Sequence, residues 1–301
     1  MTILNAMDEE AVQSHAPAGS LTLAICIPSK NRPDDIARCL ESIRRQTVRP
    51  QQIIIIDQSK TRYELPPLEG LVHVYNPEIT GSAAARNVAW SLSSSDIVFF
   101  LDDDVELLDG CIAQLLRGFD LHPDAICLQC AITRSSEEFS LSRLMTHVFQ
   151  RGFFNSAEIH RRGFTELRRA AGGATGFRQS LFEAEKFDER LIGYSYGEDW
   201  EFSYRAARYG RLLLLPDAPL VHHTSPVNRH RMEQLLRDRW DNFLYFYEKL
   251  QAGRRRVNAI WRVWWMFGES LKWARLGLGF PLLGIRTKKT PLRSLSLRPE
   301  R

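Results

Sequence analysis

From residue 21 onward the chain alternates short apolar runs with longer stretches in which apolar residues recur every three or four positions. LTLAICI (21–27) reads as a strand that stops at Pro28, and Pro33 and Asp34 then open a helix with Ile36, Leu40 and Ile43 on one face. QQIIIID (51–57) is a continuous apolar run of the kind buried on both faces of a parallel sheet. LVHVY (71–75) is a third strand, SAAARNVAWSLS (82–93) a helix, and DIVFFLDDD (96–104) a fourth strand that ends in three aspartates. DGCIAQLLRGFDLH (109–122) is helical again and AICLQCAIT (125–133) a fifth strand. Strands alternating with helices over short connections predict a mostly parallel central sheet flanked by helices. In such sheets ligands sit outside the carboxyl ends of the strands. Asn31 and Arg32, Asp57, and Asp102 to Asp104 all fall at those ends.

Beyond this alternation, residues 135–170 are charged and poor in strand pattern, which predicts a helical or mobile excursion. GGATGF (172–177) and a helical LFEAEKFDE (181–189) follow. In the next block Trp200, Tyr204 and Ala207 share a helix face. RLLLLPDAPLVHH (211–223) reads as a further strand ending in two histidines, and a long helix runs from about 231 to 250. Three regions result: a flexible leader (1–20), a sheet-and-helix domain (21–250) and a tail (251–301) rich in Trp and basic residues.

Composition narrows the class. With 44% apolar and 25% charged residues the chain is an ordinary globular one, which excludes disordered, collagen-like and disulfide-scaffold classes. The net charge of +4 conceals an asymmetry: residues 251–301 carry 12 Lys and Arg against 2 Asp and Glu, and the preceding residues are net acidic. A basic tail on an acidic body suits an anionic partner, a membrane surface or a nucleic acid. The leader lacks a basic stretch followed by an apolar one, so it does not read as a signal peptide. No run of about 20 uninterrupted apolar residues is present to span a bilayer. The five cysteines are an odd, scattered set, as expected of reduced thiols in a cytoplasm. Cys127 and Cys130 point to opposite faces of a strand and read as buried thiols, not as half of a zinc site.

Several groups could carry chemistry. Three adjacent carboxylates, Asp102, Asp103 and Asp104, repel one another unless a cation or hydrogen-bond donors compensate. Mg²⁺ or Mn²⁺ would do so; equally, the cluster could cap the helix near Asp109. Glu198 and Asp199 stand ahead of a helix, either as favourable charges at its N-terminus or as a general base. Arg86 with Asn87, and His222 with His223, could face a diphosphate or a metal, or serve structure alone. No G-x-x-x-x-G-K-[ST], G-x-G-x-x-G or G-x-S-x-G motif is placed to support an ATPase, a dinucleotide-binding fold or an α/β-hydrolase.

As an ordered set, PSKNR, IIIIDQS, GSAAARN, FFLDDD, GGATGF, GEDWEFSYR and LVHH resemble the family 2 glycosyltransferases over roughly residues 21–225. The resemblance implies a GT-A fold and inverting transfer of a sugar from a nucleoside-diphosphate sugar to a hydroxyl. It assigns donor contacts to Pro28, Asn31, Arg32, Asp57, Arg86, Asp102 and Asp103, with Asp57 at the base and Asp103 at the ribose. It assigns Mn²⁺ or Mg²⁺ to Asp102, Asp104 and His222, and the catalytic base to Asp199. Gly173, Glu198 and Trp200 are placed on the acceptor side. A nucleotidyltransferase is the rival enzyme class, but IPSKNRPDD lacks its Gly-rich loop. A non-catalytic nucleotide-sugar-binding membrane module is the rival outside enzymology.

The tail adds its own expectation. Val257, Ile260, Trp261, Trp264, Gly268 and Leu271 fall at helical spacing among Arg254, Arg255, Arg256, Arg262, Lys272 and Arg275. An apolar stripe beside basic residues suits a lipid headgroup boundary; it would also suit packing against the domain or a second subunit. Nucleic acid is not expected, because it leaves the acidic motifs unexplained. Together these features predict a cytoplasmic enzyme, peripheral on the inner face of the plasma membrane, acting on a saccharide or lipid-linked saccharide acceptor in cell-surface polysaccharide synthesis.

Overall fold

The computed structural model describes residues 21–133, 165–191, 195–223, 225, 227, 232–250, 255–275, 277, 279–280 and 285–286. The leader (1–20) and most of the expected excursion between 135 and 170 lie outside the described residues.

The first half alternates as the apolar pattern requires: β1 (Leu23–Ser29), α1 (Pro33–Arg44), β2 (Gln52–Asp57), β3 (Leu71–Tyr75), α2 (Ser82–Ser91) and β4 (Ile97–Leu101). β5 (Val105–Leu107), α3 (Cys111–Leu121), β6 (Ala125–Thr133), β7 (Thr165–Glu166) and β8 (Ala174–Arg178) follow. Then come α4 (Glu198–Ala206), β9 (Arg211–His222), α5 (Met232–Leu250) and α6 (Arg255–Arg275), with a two-stranded ladder, β10 (Gly279–Phe280) and β11 (Ile285–Arg286), at the end. The main sheet runs β3-β2-β1-β4-β8-β6-β9-β5, with β7 against β9. β3, β2, β1 and β4 are mutually parallel, β8 enters antiparallel between β4 and β6, and β6 and β9 are again parallel.

Both faces of the central strands β1, β2 and β4 are covered, and that is why these strands are apolar along most of their length. Ile25, Ile27, Ile53, Ile55, Phe99 and Leu101 join one cluster with Ile36, Leu40 and Ile43 of α1 and Ile112, Leu115 and Phe119 of α3. Ala24, Cys26, Ile54, Ile56, Val98 and Phe100 join the opposite cluster with the alanines of α2 and with Phe202 and Ala206 of α4. Each fully buried aliphatic or aromatic side chain contributes about 1.5–3 kcal/mol by leaving water. Cys130 belongs to the first cluster and Cys127 to the second, so the two thiols do lie on opposite faces.

β1 differs from its expected end at Pro28 and continues to Ser29. Its ladder to β4 finishes at Cys26, and only β2 flanks Pro28, so a residue without an N–H is tolerated there. The segment 181–189, expected to be helical, holds a short 3-10 helix (Gln179–Glu183) instead.

Two features bring the chemistry together. Asp102 to Asp104 occupy the three-residue link between β4 and β5, not the end of the strand itself. On β9 the register against β6 jumps between Leu215 and Leu220, where Pro216 and Pro219 interrupt the ladder. Beyond that break β9 pairs with β5 in antiparallel register, placing His222 opposite Val105 and beside the aspartates.

Candidate active site

A cavity of roughly 510 Å³ opens at the carboxyl ends of β1 and β4, within the range of small-ligand sites. Pro28, Arg32, Arg86, the three aspartates, Gly172, Gly173, Tyr196, Glu198, Asp199, Trp200 and His222 line it. Residues separated by nearly 200 positions thus meet in one place.

The aspartates have three different surroundings. Asp102 accepts from Arg86 Nη2 at 3.1 Å and is the most open of them. Asp103 is buried and accepts from Ser29 Oγ at 2.8 Å and Arg32 Nη1 at 2.7 Å. Burial pushes its carboxyl up to about 6, although Arg32 and Ser29 favour the charged form. Asp104 is buried too, but His222 Nε2 stands 2.9 Å from its Oδ1 and the Ser225 amide donates to Oδ2 at 2.8 Å. Burial opposes charge here as well, yet His222, that amide and Arg32 outweigh it and hold the group down to about 2. Asp102, Asp104 and His222 offer ligand atoms that all lie within 4.8 Å of one another. Two carboxylates and an imidazole are hard and borderline donors that suit Mn²⁺ or Mg²⁺, so this chain's residues fit such an ion.

Opposite them, α4 begins at Glu198 behind Gly197, whose φ of 91° only glycine adopts readily. Asp199 Oδ2 accepts the Gly172 amide and Oδ1 the Trp200 amide, both at 2.8 Å. These two donors fix the carboxylate, while its removal from water raises its pKa above the ordinary aspartate value. Glu198, likewise raised by burial, is turned toward Ser82 Oγ and the Arg86 guanidinium. Arg86 therefore sits buried between Asp102 and Glu198 as the shared counter-charge. Gly172 and Gly173 run between the two acidic groups. A Cβ on Gly173 would fall 2.3 Å from Asp102 Oδ2, and one on Gly172 would lie 2.9 Å from Arg86 and from Asp199. No side chain fits at either glycine without displacing a carboxylate.

Some expected positions do other work. Asn31, with φ +53°, accepts from the Lys60 amide and donates its own amide to Ser59 Oγ, so it ties two loops together outside the cavity. Asp57 is fully enclosed, accepting from the Ser59 amide at 2.9 Å with His73 3.3 Å away; Gln58, not Asp57, reaches the cavity wall. Asn87 fastens the Phe187 and Glu189 segment, and His223 pairs with Glu106, which leaves His222 as the histidine of the site. Gly173 borders Asp102, on the side of the aspartates.

Trp200 stacks on Phe243 at 5.5 Å between ring centres and carries the Arg169 guanidinium 3.7 Å over its ring. Arg169, Ser29, Gly172 and Tyr196 were not singled out from sequence. Ser29 and Gly172 adjoin singled-out residues and could have been found by asking what must approach the carboxylates. Arg169 and Tyr196 carry no local signal and become visible only when α5 packs behind them.

Comparison with known proteins agrees with this geometry. A family model described as Glycosyl transferase family 2 matches residues 24–185. The succinoglycan biosynthesis protein ExoU of Rhizobium meliloti is 28% identical over 239 residues, covering 73% of this chain and 68% of that protein. The GalNAc(5)-diNAcBac-PP-undecaprenol beta-1,3-glucosyltransferase of Campylobacter jejuni is 24% identical over 57% of this chain, and the match spans only 56% of that enzyme's length. Among solved structures, S. aureus TarS 1-349 in complex with UDP-GlcNAc superposes with a TM-score of 0.55 at 14% identity, covering 84% of this chain and 73% of that one. GalNAc-T7 with UDP, GalNAc and Mn²⁺ superposes at 0.54 and 16% identity, over 85% of this chain and 57% of that one. The architecture is that of the GT-A fold.

Proposed function

The chain belongs to glycosyl transferase family 2, and on that premise we propose that it transfers a sugar, with inversion, from a nucleoside-diphosphate sugar to a hydroxyl of a lipid-linked saccharide. The observation that carries the reading is the meeting, in one cavity, of Asp102, Asp104 and His222 with a separately held Asp199. Asp199 takes the acceptor's proton as its oxygen attacks the anomeric carbon from the face opposite the leaving diphosphate. The two backbone amides aim that carboxylate, and its raised pKa makes it a better base than an exposed aspartate. Asp103, closed in by Ser29 and Arg32, is the acceptor for a ribose hydroxyl. Arg86 keeps positive charge at the floor of the cavity, beside the leaving group. Asp102, Asp104 and His222 would hold Mn²⁺ or Mg²⁺, which when bound supplies Lewis-acid charge for the departing diphosphate.

The donor class is supported by neighbours of the same fold whose structures hold UDP or UDP-GlcNAc. The acceptor class is supported by the undecaprenol-linked glycan named for the Campylobacter relative. On this reading the reaction belongs at the cytoplasmic face of a membrane, in the assembly of a cell-surface polysaccharide.

Asp199→Asn tests the proposal. The expected result is a fall in kcat of about 10²–10⁴, the usual worth of a positioned base. Donor binding, followed by thermal stabilisation with nucleotide sugar, stays within a few-fold. A collapse of donor affinity with the rate at saturation preserved would make Asp199 a binding residue. A binding module has no turnover to lose, so absence of diphosphate release from the wild-type chain across a panel of nucleotide sugars would favour that reading.

A further inference from the structure

Helix α6 has two faces of different fate. Its inner face carries Trp265, Glu269, Ser270 and Trp273, all buried. Trp265 packs 5.1 Å edge-on against Phe243 and 5.5 Å from Trp240 of α5. Its outer face carries Ile260 at 70% exposure, Val263 at 55%, and Trp264 and Phe267 at 39% each. Ile260 and Phe267 lie three or four residues from both Val263 and Trp264, so the four form one stripe directed away from the packed face. The seven other exposed large apolar residues among the described ones are scattered over seven different elements and loops, so this is where apolar surface concentrates. The segment that bears the stripe is also the basic one, with 12 Lys and Arg against 2 acids over residues 251–301. No helix among the described residues is long and apolar enough to cross a membrane.

We propose that the outer face of α6 docks on an anionic lipid surface, with Ile260, Val263, Trp264 and Phe267 entering the headgroup boundary and basic residues of the same segment, the exposed Arg275 among them, meeting lipid phosphates. Apolar rings combined with cations are the chemistry of that boundary, and an acidic protein surface would not be the natural mate of four apolar side chains. The body ahead of the tail is net acidic, which disfavours its approach to the same surface and favours contact through the tail.

The inner face then connects the docked helix to the cavity. Trp265 touches Phe243, and Phe243 stacks on Trp200 of the cavity wall. Glu269 accepts from Arg239 at 2.8 Å, and Arg239 donates in turn to the Tyr196 hydroxyl at 3.0 Å. On each route a single side chain of α5, Phe243 or Arg239, therefore separates α6 from Trp200 or Tyr196. This arrangement holds the acceptor side of the cavity at the membrane, where a lipid-linked acceptor resides. That last step rests on the sugar-transfer reading; the docking itself does not.

The test is flotation of the full chain with vesicles of phosphatidylcholine alone and of phosphatidylcholine mixed with phosphatidylglycerol. Wild type is expected in the floated fraction of the anionic vesicles, with recovery falling as salt rises. The variant Ile260→Gln, Val263→Gln, Trp264→Gln, Phe267→Gln alters only exposed positions and should keep the wild-type unfolding midpoint. Its partition should drop at least about tenfold, given the apolar surface removed from insertion. If the fourfold variant does not fold, Trp264→Gln alone should still lower partition several-fold. Equal flotation of wild type and folded variant, or none by wild type, overturns the proposal. So does a wild-type dimer in lipid-free solution that the variant converts to monomer, because the stripe would then face a second copy. None of these readouts depends on turnover, so an inactive protein that floats refutes the enzyme reading and leaves the docking intact.

Discussion

Asp103 and Asp104 are neighbours in sequence and opposites in environment. Asp103 is held up near 6 by burial, and Asp104 is held near 2 by His222 and a backbone amide. At neutral pH Asp104 is the committed anion and already shares its space with the imidazole that would be its fellow ligand. Asp102, by contrast, is partly committed to Arg86 and more open to solvent. Turnover is therefore expected to require Mn²⁺ or Mg²⁺ and to be lost more completely in Asp104→Ala than in Asp102→Ala. Diphosphate release measured with and without chelator checks this, and full activity in excess chelator would remove the metal from the assignment. The residue types of this site were legible in the chain because carboxylates packed together need a compensating partner. Their division of labour was not legible, because it depends on which donor arrives from 70 to 120 residues away: Ser29 and Arg32 for Asp103, His222 and Ser225 for Asp104. Asp57 shows the converse, a strand-end acid whose position was evident but whose carboxylate is absorbed by Ser59 and His73.

Among elements, the continuous apolar strands and the α1 face were readable, since burial on both sides leaves no room for polar residues. β5 and the broken course of β9 were not. Three residues are too few for a periodic signal, and two prolines in an apolar run mark an interruption without saying where the chain goes next. Yet that interruption delivers His222. A second junction fixes α5: Asp188 accepts from Tyr245 at 2.6 Å and Lys249 at 2.5 Å, and from Arg190 on its own loop. Burial works against the charge, but these donors outweigh it and hold the carboxyl well below the usual range. A depressed folded-state pKa contributes stability above about 4, the ordinary aspartate value, and loses it as pH falls further. Asp188→Asn should destabilise by about 1–3 kcal/mol at pH 7, typical of hydrogen bonds to a charged group. The difference from wild type should shrink at about pH 3, where the unfolded chain already carries this carboxyl protonated while the folded protein still holds it charged. Denaturant unfolding at both pH values decides it; an equal gap at each would trace the loss to shape.

On the scale of the whole molecule, the boundary drawn at residue 250 separates α5 from α6, and the two pack together through Trp240, Phe243 and Trp265. The sequence stripe through Ile260 and Trp264 does turn outward, but Gly268, expected on that stripe, is buried with the inner face. Helical spacing alone could not separate Trp264 from Trp265 and Trp273, because Trp264 and Trp265 are adjacent and both faces are apolar. What divides them is the aromatic surface that α5 offers, itself seated on Trp200 and Tyr196. The cavity wall formed by Tyr196 and Trp200, α5 and α6 are accordingly one packed unit.

All five cysteines are enclosed: Cys26, Cys39, Cys111, Cys127 and Cys130. Burial pushes the thiols of Cys26, Cys39 and Cys127 well up, and a hydrogen bond to Cys111 together with burial does the same for Cys130. They are spread over β1, α1, α3 and β6 and over both faces of the sheet, each within a buried apolar cluster. An aromatic disulfide reagent should find no exposed target in the native protein and should react at all five thiols once the chain is unfolded. The native exterior is in effect thiol-blank. A cysteine introduced on the outer face of α6 would be the only handle there, ready for a reporter of polarity at the place where lipid is expected.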